Sequence, residues 1–270
     1  MRRLTVDDIP AGLRLCRASG WNQLDEDWRV FLTSPGSGGF LAEKDGAAVG
    51  SAAFLRYDSF AWIAMMLVDP ARRGEGIGTQ LMKLALQALN DAPCIGLDAT
   101  PAGAQLYRHF DFVNTYPLAR YKSVARVDTP SGNARPMDAA DLPGILRRDR
   151  DIFGADRSPL LTSLFRRSPE CAWIAADGYS FGRPGYLYHQ LGPVVAGDRD
   201  TARTLVSHCC SAVPGRRLAI DPPQLDPEWL GWLKSVGFEE ERPFVRMFRR
   251  GDTPPGDLAR QYAITGPEFA

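Results

Sequence analysis

Glycines at positions 74, 76 and 78, with Arg73 just before them, form the stretch of this sequence best suited to chemistry. Glycine lets a backbone bend tightly and approach a ligand closely, leaving amide N–H groups unobstructed. Where such a turn opens a helix, unpaired N–H groups and the positive end of the helix dipole, roughly half a charge, converge, which suits an oxyanion. Three anion-binding loops differ in spacing. A nucleotide P-loop needs Gly-x-x-x-x-Gly-Lys-Ser/Thr, and no lysine follows a glycine here. The dinucleotide fingerprint Gly-x-Gly-x-x-Gly fails because, after Gly74 and Gly76, the third glycine position is Thr79. What stands is Arg-x-x-Gly-x-Gly at Arg73, Gly76 and Gly78, preceded by Val-x-Pro at Val68 and Pro70.

The elements that must position this loop are legible on both sides of it. Phe60 to Val68 is an apolar run that reads as a strand, and Ile77, Leu81, Leu84, Ala85, Ala88 and Leu89 recur at the spacing of one helical face. Upstream, Asp7-Asp8-Ile9-Pro10 signals a helix start before Leu13, Leu15 and Cys16, and a second short helix is expected from Asp25 through Trp28, Phe31 and Leu32. Gly20-Trp21-Asn22-Gln23 lies between them as a loop. Phe40-Leu41-Ala42-Glu43 and Ala48 to Leu55 flank Lys44-Asp45-Gly46 and read as a hairpin. Downstream, Leu97-Asp98-Ala99-Thr100 closes another short apolar run and Leu106-Tyr107-Arg108-His109-Phe110-Asp111-Phe112 follows. An alternation from Leu118 to Val127 would complete a mixed sheet flanked by helices, an α/β fold class.

At Asp128-Thr129-Pro130-Ser131-Gly132-Asn133 the composition turns polar and rich in Pro and Gly, which reads as a linker. Beyond it the chain begins again. Arg2 to Leu13 lies over Arg135 to Leu146 at a constant shift of 133, matching an Arg, an Asp and a Pro. Such a period indicates domain duplication, since solenoid repeats run about 20–50 residues. In the second half Ala172 to Ala176 and Gly178 to Gly182 suggest a hairpin, and Leu191 to Ala196 parallels the strand before the glycine loop. Ala202, Leu205, Val206, Cys209, Ala212 and Val213 form a helical face, Leu218 to Asp221 parallels Gly96 to Asp98, and Trp232 to Phe238 ends in Gly-Phe. After Val195, however, comes Ala196-Gly197-Asp198-Arg199-Asp200, without Arg-x-x-Gly-x-Gly and with two carboxylates that would repel an anion. The expected organisation is residues 1–128 as a ligand-binding domain, 129–134 as linker, 135–250 as a degenerate copy and 251–270 as a tail that either docks or stays mobile.

Composition bounds the remaining possibilities. A chain of 270 residues with 44% hydrophobic content can bury one large or two ordinary cores. Thirty-two basic residues balance thirty-two acidic ones, so no global field favours nucleic acid or an anionic membrane. With no signal-like segment and no span of about 18 apolar residues, a cytoplasmic protein is expected. The five cysteines, including the adjacent Cys209 and Cys210, show no zinc spacing and are expected to be reduced packing residues.

The loop at 73–78 and the strand before it resemble the pyrophosphate loop of the GNAT superfamily of acyl-CoA-dependent N-acyltransferases. Leu106-Tyr107 to Phe112 is similar to that superfamily's Leu-Tyr-x-x-x-Gly-Phe signature, with Asp111 where glycine is usual. Asp tolerates the left-handed conformation needed there. The whole chain resembles the tandem type, an intact N-terminal domain followed by a degenerate C-terminal one that shapes the substrate cleft. The resemblance implies acetyl-CoA as cofactor and one cofactor site per chain. Met66, Leu67 and Val68 would bind the pantetheine arm and polarise the thioester carbonyl through backbone groups. Gly74, Glu75, Gly76, Ile77, Gly78 and Thr79 would cradle the diphosphate, with Arg73 shaping the loop.

Amide formation also needs a neutral amine, and a primary ammonium with a pKa of about 10.4 must lose a proton to a base or a water chain. Preorganised N–H donors stabilise the developing oxyanion. The resemblance makes Tyr107 the candidate acid for the departing thiolate, against a role only in packing on coenzyme A. Asp98 is the candidate base, with Asp58 and Asp27 as alternatives and a helix-cap role as the competing reading of Asp98. Trp21, Asn22 and Asp27 are candidate acceptor-pocket residues. His109 is expected on the surface of the helix that carries Tyr107, His208 reads as an ordinary helix residue, His189 could reach the cleft between domains, and no histidine pair suggests a metal. The expected acceptor is the primary amine of a small or amino-acid-like molecule, handled by a monomer, with a dimer as the alternative. A protein-lysine acetyltransferase and a non-catalytic acyl-CoA sensor compete with this reading.

Overall fold

The computed structural model describes residues 1–124, 130, 132–251 and 255–270. Part of the expected linker and the end of the alternation read to Val127 lie outside the described residues. The first half runs β1 (Arg2–Arg3), α1 (Ile9–Ala18), α2 (Asp25–Thr33), β2 (Gly38–Lys44), β3 (Ala47–Arg56), β4 (Ala61–Val68), α3 (Ile77–Ala88), β5 (Ile95–Ala99), α4 (Pro101–Arg108) and β6 (Val113–Val124). The second runs β7 (Ala134–Pro136), α5 (Leu142–Phe153), α6 (Ser158–Arg167), β8 (Trp173–Ala175), β9 (Gly178–Arg183), β10 (His189–Ala196), α7 (Arg199–Ala212), β11 (Arg217–Ile220), α8 (Pro227–Ser235), β12 (Glu239–Arg249) and β13 (Gln261–Ala263).

Local chemistry explains the boundaries. Asp45 (φ 53°) and Gly46 (φ 76°) make the two-residue turn between β2 and β3, a conformation that the pair Asp-Gly favours. Thr100 caps α4 by accepting from the Gly103 amide at 3.2 Å, so the cap is Thr100 and not Asp98. Asp111 takes the left-handed conformation (φ 63°) that Gly237 takes in the second half (φ 91°). Each lets the following phenylalanine amide turn back onto its helix, Phe112 to the Tyr107 carbonyl and Phe238 to that of Leu233.

The duplication is written in hydrogen bonds as well. Arg2 grips both oxygens of Asp8 at 2.8 and 2.7 Å, while the Thr5 amide donates to Asp8 at 2.8 Å. Arg135 grips Asp141 at 2.7 Å on both arms, and the Asp138 amide donates to Asp141 at 3.0 Å. All three positions are displaced by the shift of 133 found in the sequence.

The strands form one 13-stranded sheet in the order β1-β2-β3-β4-β5-β12-β6-β11-β10-β9-β8-β7, with β13 beside β10. The halves therefore exchange their long final strands: β12 pairs with β5 of the first half, β6 pairs with β11 of the second, and β12 and β6 pair antiparallel with each other. Buried ion pairs clasp the exchange reciprocally. Arg246 on β12 donates to both oxygens of Asp98 on β5 at 2.8 Å, and Arg120 on β6 donates to both oxygens of Asp221 after β11 at 2.8 and 2.7 Å. A tyrosine hydroxyl, Tyr116 or Tyr188, accepts a further bond from each arginine. Desolvation is costly for both charges, so such pairs persist only with this degree of hydrogen bonding.

One apolar cluster, under α3 and α4, contains Ile77, Leu81, Ala85 and Tyr107, and another, under α7 and α8, contains Leu205, Trp229 and Leu233. A third spans the halves, joining Trp28, Phe31 and Trp62 to Phe153, Phe181 and Phe269. The tail docks there. Phe269 stacks on Phe31 with centroids 5.5 Å apart, Trp62 donates its indole N–H to the Pro267 carbonyl at 3.0 Å, and Tyr57 donates to the Phe269 carbonyl at 2.8 Å.

Candidate active site

Strand β4 carries a bulge. Ser51 faces Leu67 and Ala53 faces Ala64, so Met65 and Met66 together stand opposite Ala52. Met65 has φ 51°, an unfavourable conformation for a residue with a side chain, and the Ser51 hydroxyl holds it by donating to its carbonyl at 2.9 Å. Next to it, β4 and β5 pair in parallel only at Ala61–Ile95 and Trp62–Gly96 before separating. The β5-facing backbone of Met66, Leu67 and Val68 is thus left without a strand partner. The seam leads into a cavity of about 150 Å³ lined by Trp21, Met65, Met66 and Tyr107, and closed by Arg242 and Phe244 of β12 and by Pro267 and Glu268 of the tail.

At the end of β4 the chain passes through a short turn into α3, whose N-cap is Gly76. Among the described residues, no backbone N–H from Gly74 to Thr79 donates to another group of the chain. Gly74 (φ 85°) and Gly76 (φ 77°) have left-handed backbones, and a Cβ built on either would meet nothing within 4 Å. Backbone conformation rather than crowding makes them glycine, and the space before the amides is open. A Cβ at Gly78 would meet Leu106 and Val68 at an ordinary 3.6 Å, so the fold itself does not demand glycine there. Glu75 is turned to Lys44 at 2.6 Å and Arg72 at 3.6 Å, and Lys44 above all lowers its carboxyl pKa. Arg73 is exposed. These residues fit a diphosphate held by amides at a helix N-terminus.

The second half keeps the same outline but fills it. Leu191 faces Gly182 and Val194 faces Ser180, so β10 has the corresponding bulge, and β10 pairs with β11 only from His189 to Leu191. The gap that opens beyond is occupied by β13, which pairs at Val194–Ala263 and Val195–Gln261, and by the Ile264 amide donating to the Asp221 carbonyl at 3.1 Å. The N-terminus of α7 is capped by Asp198, which accepts from the Thr201 amide at 2.7 Å. Neither a free seam nor a free anion site remains there.

Tyr107 points from α4 into the cavity. Its hydroxyl has no partner among the described residues, and burial pushes its pKa up to about 12, so the phenol holds its proton at neutral pH. The proposed bases fare differently. Asp98 lines the cavity, but its side chain is 0% exposed and both oxygens are taken by Arg246, which argues against proton transfer there. Asp27 is likewise fully buried, bound to Arg167 at 2.9 Å and Arg183 at 2.7 Å, and accepts from the Leu24 amide, so it braces the two halves and does not face an acceptor. Asp58 pairs with Arg150 at 2.6 Å and accepts from the Asp156 amide, again across the halves.

Among the acceptor-pocket candidates, Trp21 lines the cavity. Asn22 does not serve it: its amide is used up on the Leu187 and Tyr188 amides and the Tyr188 carbonyl at 2.7–3.1 Å. His109 is exposed and bonded to the Gln105 carbonyl, and the His208 ring lies tilted against Trp173 with centroids 4.6 Å apart. His189 lies 3.9 Å from Glu170, outside the cavity lining. Sequence reasoning missed Gln23, Arg120, Arg242, Phe244 and Glu268. Of these, Glu268 is held by Arg183 through Oε1, while its Oε2 has no hydrogen-bond partner among the described residues.

Comparison with known proteins agrees with this geometry. Residues 11–112 match the acetyltransferase (GNAT) family, and residues 145–263 match an acetyltransferase (GNAT) domain. The chain is 28% identical to holothin acyltransferase of Pseudoalteromonas sp. (strain SANK 73390) over 261 residues, spanning 93% of this chain and 88% of that protein. Its fold is similar to that of a putative acetyltransferase from Pyrococcus horikoshii, with a TM-score of 0.85 and 23% identity, covering 100% of this chain and 95% of the other. It is also similar to a tandem GNAT protein from the clavulanic acid biosynthesis pathway, with a TM-score of 0.66 and 14% identity, covering 93% and 98%. Among the described residues no helix is long and apolar enough to cross a membrane.

Proposed function

The chain belongs to the GNAT acetyltransferases, with two such domains in tandem, and from that premise we propose that it transfers an acetyl group from acetyl-CoA to the primary amine of a small or amino-acid-like molecule, at one site per chain. The observation that carries this reading is the run of uncommitted amides from Gly74 to Thr79 at the mouth of the β4–β5 seam, a feature the second half lacks.

In this reading Gly74 to Thr79 hold the diphosphate, and the free backbone of Met66, Leu67 and Val68 holds the pantetheine arm. Acetyl-CoA supplies an activated acyl thioester when bound. The bulge places Met65 and Met66 in the cavity lining, where their backbone would receive the acyl carbonyl and favour negative charge on its oxygen. Tyr107 keeps a proton on its hydroxyl for the departing sulfur. With both oxygens of Asp98, Asp27 and Asp58 taken, removal of the ammonium proton falls to Glu268, which Arg183 holds only through Oε1, so that Oε2 acts directly or through water in the cavity. Walls supplied by β12 and the tail favour a small acceptor over a protein tail, which needs an open groove.

The test is a thiol-release screen of purified protein with acetyl-CoA against pooled amines and amino acids. Thiol release that depends on an added amine supports the reading. Saturable binding of acetyl-CoA without turnover across the panel would favour the sensor instead.

A further inference from the structure

Among the described residues four arginines are fully buried, and each is matched by a carboxylate: Arg120 by Asp221, Arg157 by Asp149, Arg183 by Asp27 and Glu268, Arg246 by Asp98. Arg242 breaks this pattern. It is half-buried on β12 and lines the cavity, yet among the described residues its guanidinium has no ion pair and no hydrogen bond. Its Nε is buried without an acceptor, and the Phe244 ring lies 5.0 Å from its central carbon. Directly across the sheet, in register on β6, stands Arg120. Two guanidinium groups thus stand in register on neighbouring strands, and the nearby carboxylates are engaged elsewhere, Asp221 with Arg120 and Gln190 and Glu241 with Lys122. Like charges directly opposite in a sheet destabilise it, and a cation drawn out of water without a counterion is costly. Burial above all, and then Arg120, pulls the pKa of Arg242 below that of a free arginine.

The same cavity holds an orphan of the opposite kind. Gln23 is buried, and its Oε1 has no donor. A cation lacking an anion and a carbonyl oxygen lacking an N–H therefore line one small chamber with Glu268, which has an unbonded carboxylate oxygen.

We propose that the acceptor is an amino acid or a close amino-carboxylic acid, whose carboxylate is received by Arg242 and whose amine gives an N–H to Gln23 Oε1. This rests on the transfer reaction inferred above and names its acceptor class. Arg242 is then a specificity-determining residue supplied by the second half to a reaction carried out by the first. The carboxylate provides the missing negative charge, and a charge-assisted, two-pronged contact to a desolvated guanidinium discriminates strongly against a neutral analogue.

The test pairs each common amino acid with its own carboxamide, which keeps the size and shape but lacks the negative charge and has an N–H donor in place of one acceptor oxygen. Binding is read by thermal shift in the presence of coenzyme A, and transfer by thiol release. At least one amino acid is expected to bind and react about a hundredfold better than its carboxamide. Arg242→Gln should collapse that ratio towards one, mainly through KM, and Arg242→Lys should restore part of it. Carboxylate-selective binding that Arg242→Gln abolishes, but without turnover, would support this site while counting against the transfer reaction. Turnover of amines with no carboxylate preference, a preference that survives Arg242→Gln, or an absence of amino-acid binding throughout would overturn the proposal.

Discussion

Arg246 reaches from the last long strand of the second half to Asp98 of the first and donates to both carboxylate oxygens at 2.8 Å. Arg120 returns the grip from the first half to Asp221 of the second. These contacts tie together two halves that neither close their own sheets nor enclose the cavity alone. They also explain why a carboxylate in the expected position of a base is structural.

Arg246→Leu should cost about 3–5 kcal/mol of unfolding free energy, because it leaves the Asp98 carboxylate buried without its partner. Removing both charges, as Arg246→Leu with Asp98→Leu, should cost much less. Urea denaturation of the single and double variants checks the difference; equal losses would mean that packing, not charge, dominates.

Gly76→Ala forces a side chain into a left-handed backbone with φ 77° and places a methyl group before the open amides. About 1–2 kcal/mol of stability should be lost, with coenzyme A affinity falling more than about tenfold. Gly78→Ala should leave stability nearly intact, since its Cβ meets only ordinary contacts at 3.6 Å. Any loss of coenzyme A affinity in that variant, read by calorimetry, reports close approach of the ligand.

Tyr107→Phe should lower kcat about a hundredfold and leave coenzyme A affinity within about twofold. Burial lifts the Tyr107 pKa to about 12, above the value of about 10 for an unfolded tyrosine. The native state therefore keeps this proton while the unfolded chain loses it. The resulting stability is fully present below about pH 10 and is lost as pH rises through about 12. Stability measured across that window should fall less steeply in Tyr107→Phe.

Glu268→Gln retains an oxygen for Arg183 but cannot take a proton. It should lower kcat/KM about a hundredfold. A variant that keeps the parent activity would return the role of base to water alone.

The first half of the site was readable because its chemistry is local. Strand, glycine turn and helix are consecutive, so the local pattern located the turn, and the resemblance to the GNAT superfamily, carried by a contiguous string, drew attention to Tyr107. The duplication was readable too, through the matched Arg2–Asp8 and Arg135–Asp141 pairs. The exchange of β6 and β12 was not, since a strand's own residues do not say which half it completes. Partners distant in the chain explain most of what the reading missed or misassigned. Asp98 looks free until Arg246 arrives from 148 positions away, and Asn22 and Asp27 look available until their partners in the second half are known. Arg242 and Glu268 enter the cavity only through long-range topology, and no local pattern announces the tail as a wall.

The central claim, that one half binds coenzyme A through its open amides while the other is filled by its own chain, is tested most directly by titrating the protein with coenzyme A in a calorimeter. One equivalent per chain is predicted, with the heat abolished or strongly reduced in Gly76→Ala. No heat with the parent protein, or two equivalents per chain, would contradict the account.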